Sequence, residues 1–306
     1  MKKVLVATVK PFASEAIGRM RAVVEAAGYE LRLLEKYSDK AELLAAVADV
    51  HALIVRSDQC DAEVLNAASE LEIVVRAGAG YDNIDIETAS KKGIVVMNTP
   101  GQNSNAVAEL TFALLLYLVR NGFNGNAGTE LLGKTFGIMG YGNIGMHLAR
   151  IAKGFGMDVM GCSPTLSPEQ ATEQGIRYAD GPIDLFSSSQ VVSLNIPGNR
   201  DTRGIINREL MMMMPKCAIL VNTARKEIIN EADLEKVLEE REDFRYAADV
   251  APDNRELLEK RFPGRVVFTA RKMGAQTDEA NINAGTAATS QIVAFFQKGD
   301  ATFQVN

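Results

Sequence analysis

Lys134–Ala149, KTFGIMGYGNIGMHLA, is the stretch from which the rest of the chain can be read. Thr135 to Met139 has the make-up of a short buried strand. Gly140, Gly142 and Gly145 follow as G-x-G-x-x-G, and from Asn143 the apolar residues Ile144, Leu148 and Ile151 recur on one helical face. The first glycine permits a tight strand-to-helix turn, and the second lets the main chain approach a pyrophosphate. The third allows helix and strand to pack closely, while the helix N-terminus offers unpaired N–H groups to the anion. The glycine pattern alone is weak, but strand, turn and helix coincide here and further βα units follow. A dinucleotide site on Gly140, Gly142, Asn143, Ile144 and Gly145 is expected.

Working outward, short β-rich runs stand at Val4 to Val9, Tyr29 to Leu34, Ala52 to Val55, Ile73 to Val75 and Ile94 to Met97. Helical patterns such as Ser14 to Ala27 and Lys40 to Ala48 separate them. Strand alternating with helix predicts a parallel sheet covered on both faces. Asn105 to Arg120 reads as a long, largely buried helix. After the glycine turn, strands are expected at Asp158 to Cys162, Val191 to Asn195, Ala218 to Asn222, Tyr246 to Val250 and Val266 to Thr269. A final helix, roughly Thr277 to Gln297, is long enough to return to the first lobe. The predicted fold is α/β: two doubly wound parallel-sheet lobes, a Rossmann nucleotide-binding domain (99–283) inserted in a flavodoxin-like substrate domain (1–98 and 284–306), with the site in the cleft between them. The methionine run Met211 to Met214 is read as core filling ahead of Pro215.

Composition narrows the function. A net charge of −6 with no basic stripe argues against nucleic acid and anionic membrane as partners. The longest apolar run, Phe112 to Val119, is too short to cross a bilayer, and MKKVLVATVKP lacks the apolar length of a signal peptide. Cys60, Cys162 and Cys217 are unpaired by count, which suggests a reduced, cytoplasmic protein. With no C-x-x-C and only His51 and His147, no metal site is expected.

Three further stretches carry a resemblance. RAGAGYDNIDIETASKKGIVVMNTPGQNSNAVAELTFALLLYLVR (76–120), TRGIINRELMMMMPKCAILVNTAR (202–225) and GAQTDEA (274–280) resemble, in order and spacing, the signatures of the D-2-hydroxyacid dehydrogenase family, and within it the phosphoglycerate dehydrogenases. The resemblance implies reversible hydride transfer between a 2-hydroxy acid and its 2-keto acid, with NAD as cofactor. It implies a small-molecule substrate and a homodimer or higher homo-oligomer. A regulatory C-terminal domain is not expected, since the tail ends at QVN soon after the last helix. By the same resemblance Arg225 grips the substrate carboxylate and carbonyl, as a planar guanidinium can with two parallel hydrogen bonds. Gly78, Ala79 and Gly80 present N–H groups to the carboxylate, and Ser57 and Asn103 join the substrate site. Arg56 in ALIVRS and Arg76 in VVRAG match arginines that read a 3-phosphate. Ser163, Pro197, Thr202, Thr223, Ala224, Asp249 and Gly274 fall at cofactor positions, with Asp249 holding the nicotinamide amide.

The chain departs from the family three times. Ser163 stands where an acidic residue usually binds the adenosine ribose, so the charge that repels a 2′-phosphate is missing; NAD is expected, with NADP less excluded. The loop Arg120 to Glu130 is shorter than the family's. Asn254 and Lys272 replace the catalytic glutamate and histidine. A carboxylate beside a lysine would hold the amine charged, so losing the glutamate along with the histidine is coherent. Lys272 is expected to be the proton donor and acceptor, shifted down by desolvation and by Arg271, with Asp253 or Glu256 as fallback. His51 and His147 lie too far from this chemistry to substitute. Alternatives are reduction of glyoxylate, hydroxypyruvate or another 2-keto acid, or non-catalytic NAD(H) sensing.

Overall fold

Residues 1–306 are described by a computed structural model, which divides into two units: Met1–Asn103 with Ala275–Asn306, and Ser104–Gly274. The divisions fall at 103/104 and 274/275, against 98/99 and 283/284 in the sequence reading.

The first unit holds β1 (Lys3–Thr8), β2 (Glu30–Glu35), β3 (Ala52–Val55), β4 (Ile73–Arg76) and β5 (Val95–Asn98), all parallel in the order β2-β1-β3-β4-β5. Its strands are buried on both faces, as a parallel sheet requires. Leu5, Leu53, Val55 and Val74 pack on one side with Leu43, Val47 and Leu65. Val4, Val6, Ile54 and Val75 pack on the other with Met20 and Val24 of the helix Ser14–Ala26 and with Ala284, Ala288 and Ile292 of the helix Asp278–Lys298. The alternation follows the two-residue period of a strand. That last helix can approach because Gly285 has no side chain: a Cβ there would stand 2.7 Å from the Met20 sulfur.

The second unit begins with the helix Ser104–Val119, apolar nearly all round and accordingly buried. Its sheet comprises β6 (Thr135–Met139), β7 (Asp158–Cys162), β8 (Arg177–Tyr178), β9 (Val191–Leu194), β10 (Ile219–Asn222), β11 (Arg245–Ala248) and β12 (Val266–Phe268). They run parallel in the order β12-β11-β10-β9-β6-β7-β8. The strand order reverses between β6 and β9, the position at whose carboxyl ends open α/β sheets take their ligands. β8 is only two residues long and escapes the sequence reading. Met211 and Met214 are buried and Met212 packs on the core, whereas Met213 is exposed.

No helix is long and apolar enough to cross a membrane.

Candidate active site

At the switch point the three glycines do three different things. Gly140 sits at φ +93°, and a Cβ on it would lie 2.7 Å from the Asn195 carbonyl oxygen that follows β9. A Cβ on Gly145 would meet the Gly140 oxygen at 3.1 Å and Ile138 Cγ2 at 3.2 Å, so this glycine sets the helix against the strand. On Gly142 a Cβ would touch nothing, which leaves open space at the head of the helix Asn143–Gly154. Gly142 is also that helix's N-cap and supplies no capping side chain, so the first turn's N–H groups remain available to an anion. A dinucleotide pyrophosphate fits this cradle.

Three more residues expected from the sequence at the cofactor lie on the same carboxyl edge. Ser163 directly follows β7, its hydroxyl 3.1 Å from that of Thr165. Thr202 donates to the Pro197 carbonyl at 2.6 Å and so closes the 197–202 turn. Thr223, buried, meets the Thr111 hydroxyl at 3.3 Å.

The turn after β10 is built by Asn222. Its amide donates to the Arg225 carbonyl at 2.9 Å and its oxygen accepts the Ala224 N–H at 3.0 Å, which fixes where Arg225 leaves the main chain. Gly198 leaves room for that side chain: a Cβ there would lie 3.0 Å from Arg225 Cγ and 2.3 Å from Glu227 Oε1. Arg225 lines a pocket of about 290 Å³ with Lys226, Glu227, Asp249, Arg255, Arg271 and Lys272. Five cationic side chains against two carboxylates make this a site for an anionic ligand. Arg255, held to the Thr269 carbonyl at 2.9 Å and paired with Glu259, was not found from the sequence. Its position just after Asn254, where the family glutamate would stand, was the available signal.

Asp249, 2% exposed, is engaged by its own chain. It accepts the Thr269 hydroxyl and the Met273 N–H on Oδ1, and the Gly274 N–H on Oδ2, each at 2.8 Å. It therefore clamps both ends of the loop that carries Arg271 and Lys272. Lys272 is exposed on that loop, so the desolvation expected from the sequence is not supplied. Asn254 begins the helix Arg255–Arg261 with a buried Oδ1 that accepts no hydrogen bond. The fallback acids lie outside the pocket: Asp253 pairs with Lys226, and Glu256 is exposed. His51 accepts the Lys3 N–H at the amino end of β1, and His147 lies within the helix behind the glycine turn.

In the first unit, Arg56 and Arg76 leave the ends of β3 and β4. Arg56 stacks over Phe12 at 4.8 Å and donates to the carbonyls of Lys10 (3.0 Å) and Pro11 (3.2 Å) and to Asn281 Oδ1. Burial lowers its pKa, and Asp58 partly offsets that. Arg76 donates from Nε to the Arg56 carbonyl at 2.9 Å, and its guanidinium folds over Gly78, where a Cβ would overlap Nη1. Gly78 tolerates this at φ +151°. The Asn98 amide holds the Ala79 carbonyl at 2.6 Å, and Thr99 N–H holds that of Gly78, so the Gly78–Gly80 loop is pinned to the chain leaving β5. Ser57, directly after Arg56, is exposed, and Asn103, just before the helix Ser104–Val119, is half-buried.

Residues 115–266 match the family described as D-isomer specific 2-hydroxyacid dehydrogenase, NAD binding domain. Hydroxypyruvate reductase of Thermotoga maritima is 37% identical over 277 residues, covering 84% of this chain and 88% of that enzyme. The chain belongs to the D-2-hydroxyacid dehydrogenase family. D-3-phosphoglycerate dehydrogenase of Methanocaldococcus jannaschii is also 37% identical, over 83% of this chain, but the chain spans only about half (51%) of that protein's length. Among solved structures, the NAD+-bound 3-phosphoglycerate dehydrogenase of Entamoeba histolytica superposes with a TM-score of 0.90 and 44% identity, covering 100% of this chain and 98% of that one. The family's NAD-binding domain thus coincides with the unit that holds the glycine cradle.

Proposed function

We propose that the chain is an NAD-dependent dehydrogenase interconverting 3-phosphoglycerate and 3-phosphohydroxypyruvate, a step toward serine. We take it to act in the cytoplasm as a homodimer or higher homo-oligomer. The observation that carries the reading is that Arg56 and Arg76 leave the ends of neighbouring strands, with Arg76 donating from Nε to the main-chain carbonyl of Arg56 and folding over the Gly78–Gly80 loop. Two such groups can meet a phosphate dianion with charge-assisted, often bidentate bonds. In this reading Met1–Asn103 with Ala275–Asn306 binds substrate, and Ser104–Gly274 binds the dinucleotide. Bound NAD supplies the two-electron acceptor. Arg225 grips the carboxylate and polarises the carbonyl, the Gly78–Gly80 N–H groups help hold the carboxylate, and the Lys272 amine carries the proton to and from the substrate oxygen.

Parallel assays of NADH oxidation with phosphohydroxypyruvate, hydroxypyruvate and glyoxylate test this. A higher kcat/KM for either unphosphorylated acid would replace the reading with its alternative, a 2-keto acid reductase. That alternative has its own support: Arg56 is already engaged by Lys10, Pro11 and Asn281. Absence of turnover with all three would favour a non-catalytic NAD(H) sensor.

Arg56→Ala should raise KM for phosphohydroxypyruvate far more than for hydroxypyruvate. Comparing the two substrates on one variant cancels any loosening of the Lys10–Pro11 turn. Equal losses would show that Arg56 does not read the phosphate.

For the cofactor, Ser163 removes a repelling charge, yet Pro164 to Gln170 offers no lysine or arginine to a 2′-phosphate. NADH should be preferred in kcat/KM, by a smaller ratio than in relatives carrying an acid there. A preference for NADPH would refute this.

A further inference from the structure

The acid missing at Ser163 has a neighbour. β7 and β8 pair in parallel, Met160 with Arg177 and Gly161 with Tyr178. The ladder runs one step further, since the Ala179 N–H donates to the Gly161 carbonyl at 2.9 Å. Carried on at the same offset, the pairing sets Ser163 beside Asp180, one strand spacing of about 4.8 Å away. Ser163 is neutral, and its hydroxyl is engaged by its own loop: it lies 3.1 Å from the Thr165 hydroxyl and 3.4 Å from the Thr165 N–H.

Two carboxylates follow β8, and they differ in kind. Asp184 belongs to the start of the helix Pro182–Ser188, where Oδ2 accepts the Asp180 N–H at 3.1 Å and Oδ1 the Ser188 hydroxyl at 3.3 Å. Asp180 is exposed, and its carboxylate accepts no hydrogen bond and forms no ion pair. The field of both reaches β7. Burial raises the pKa of the Cys162 thiol, just before Ser163; Asp184 and then Asp180 raise it further, against the Gly181 N–H.

Cations are kept off this edge. Between Ser163 and Asn199 the one basic residue is Arg177, which is drawn to Asp158 at the amino ends of the two strands, 3.0 Å away. From the helix Asn143–Gly154, Arg150 donates to Asn105 Oδ1 at 2.9 Å, and Lys153 donates to the Gln174 carbonyl ahead of β8. Arg200 follows β9, two places from β7 in the strand order.

We propose that Asp180 is the residue that selects NAD over NADP, its carboxylate serving from the next strand in place of the acid absent at Ser163. It accepts a hydroxyl of the adenosine ribose and repels a 2′-phosphate. A carboxylate one strand over can do this because repulsion acts through space, over a screening length of about 8 Å at physiological ionic strength.

Isothermal titration calorimetry of the full chain with NAD+ and with NADP+, in the absence of substrate, tests the assignment. The wild-type chain should bind NAD+ more tightly. Asp180→Asn should shrink the affinity ratio about tenfold at low salt, because a neutral amide no longer faces the 2′-phosphate charge. Asp180→Glu should keep most of the preference. At about 1 M salt, where the screening length is ~3 Å, the wild-type ratio should fall toward that of Asp180→Asn. The position is exposed and the amide keeps the size of the side chain, so folding is not at stake, and the ratio of two ligands on one variant cancels any loss of active protein. An unchanged ratio in Asp180→Asn, a glutamate as permissive as the amide, or equal wild-type affinity for the two nucleotides would overturn the proposal. Because the readout is heat of nucleotide binding, it is independent of which hydroxy acid the enzyme oxidises.

Discussion

Replacing Lys272 with alanine should lower kcat by roughly 10²–10⁴, the contribution typical of a general acid–base, while NADH binding persists. Reducing a keto acid delivers a proton to the carbonyl oxygen, and oxidising the hydroxy acid removes one. In the pocket around Arg225 the charged side chains are guanidiniums, the amines of Lys226 and Lys272, and two carboxylates. Guanidiniums do not give up protons near neutrality. The Asp249 carboxylate is committed to three donors, and Lys226 is paired with Asp253. Lys272, which stands where the family's catalytic histidine would, is the proton carrier to test. The pH dependence has a definite sign. Oxidation needs the neutral amine, and an amine gains that form as pH rises, so oxidation should strengthen on the alkaline side. Reduction needs the ammonium and should weaken there. Lys272→Arg keeps the charge without a transferable proton and should not rescue the rate. Near-wild-type kcat in Lys272→Ala, or a pH profile unchanged by it, would remove the lysine from the mechanism.

Arg225→Gln should cost about 10²–10³ in kcat/KM, the scale seen when one donor aimed at developing negative charge is removed. The side chain's departure point is fixed by Asn222 on both sides of the turn, and Gly198 leaves the room it occupies. Arg225→Lys should recover little, because an ammonium cannot present two parallel donors to a carboxylate and carbonyl. Recovery to within a few-fold by lysine would mean that charge alone, not the planar fork, is used. Cofactor affinity serves as the internal control.

The glycine turn was legible because each of its glycines answers a local demand of backbone geometry, and local demands are written in neighbouring residues. The unbroken apolar runs of β1 and β3, buried on both faces, and the largely apolar helix Ser104–Val119 were legible for the same reason. β8 was not, since two residues carry no periodicity. Arg255 was not, because its place in the Arg225 pocket comes from the β12 carbonyl edge rather than from its own segment. Asp249 was read from resemblance as a cofactor ligand, but the structure adds the clamp on Met273 and Gly274, a pairing more than twenty residues apart in sequence. Nor did the sequence indicate that Lys272 would be exposed, because burial of a loop depends on what is folded above it.

The helix Asp278–Lys298 finishes a sheet whose five strands all lie before residue 99. A ribosome therefore makes the sheet first and its lid last, with the whole Ser104–Gly274 unit emerging in between. Until those closing residues leave the exit tunnel, the face bearing Val4, Val6, Ile54 and Val75 has only the Ser14–Ala26 helix to cover it. The middle unit, by contrast, is continuous in sequence and has every strand of its sheet in hand once residue 274 is made. Order of synthesis and order of completion are thus reversed for the two units. The nascent chain carries an unfinished apolar surface for most of its translation, the condition under which aggregation competes with folding.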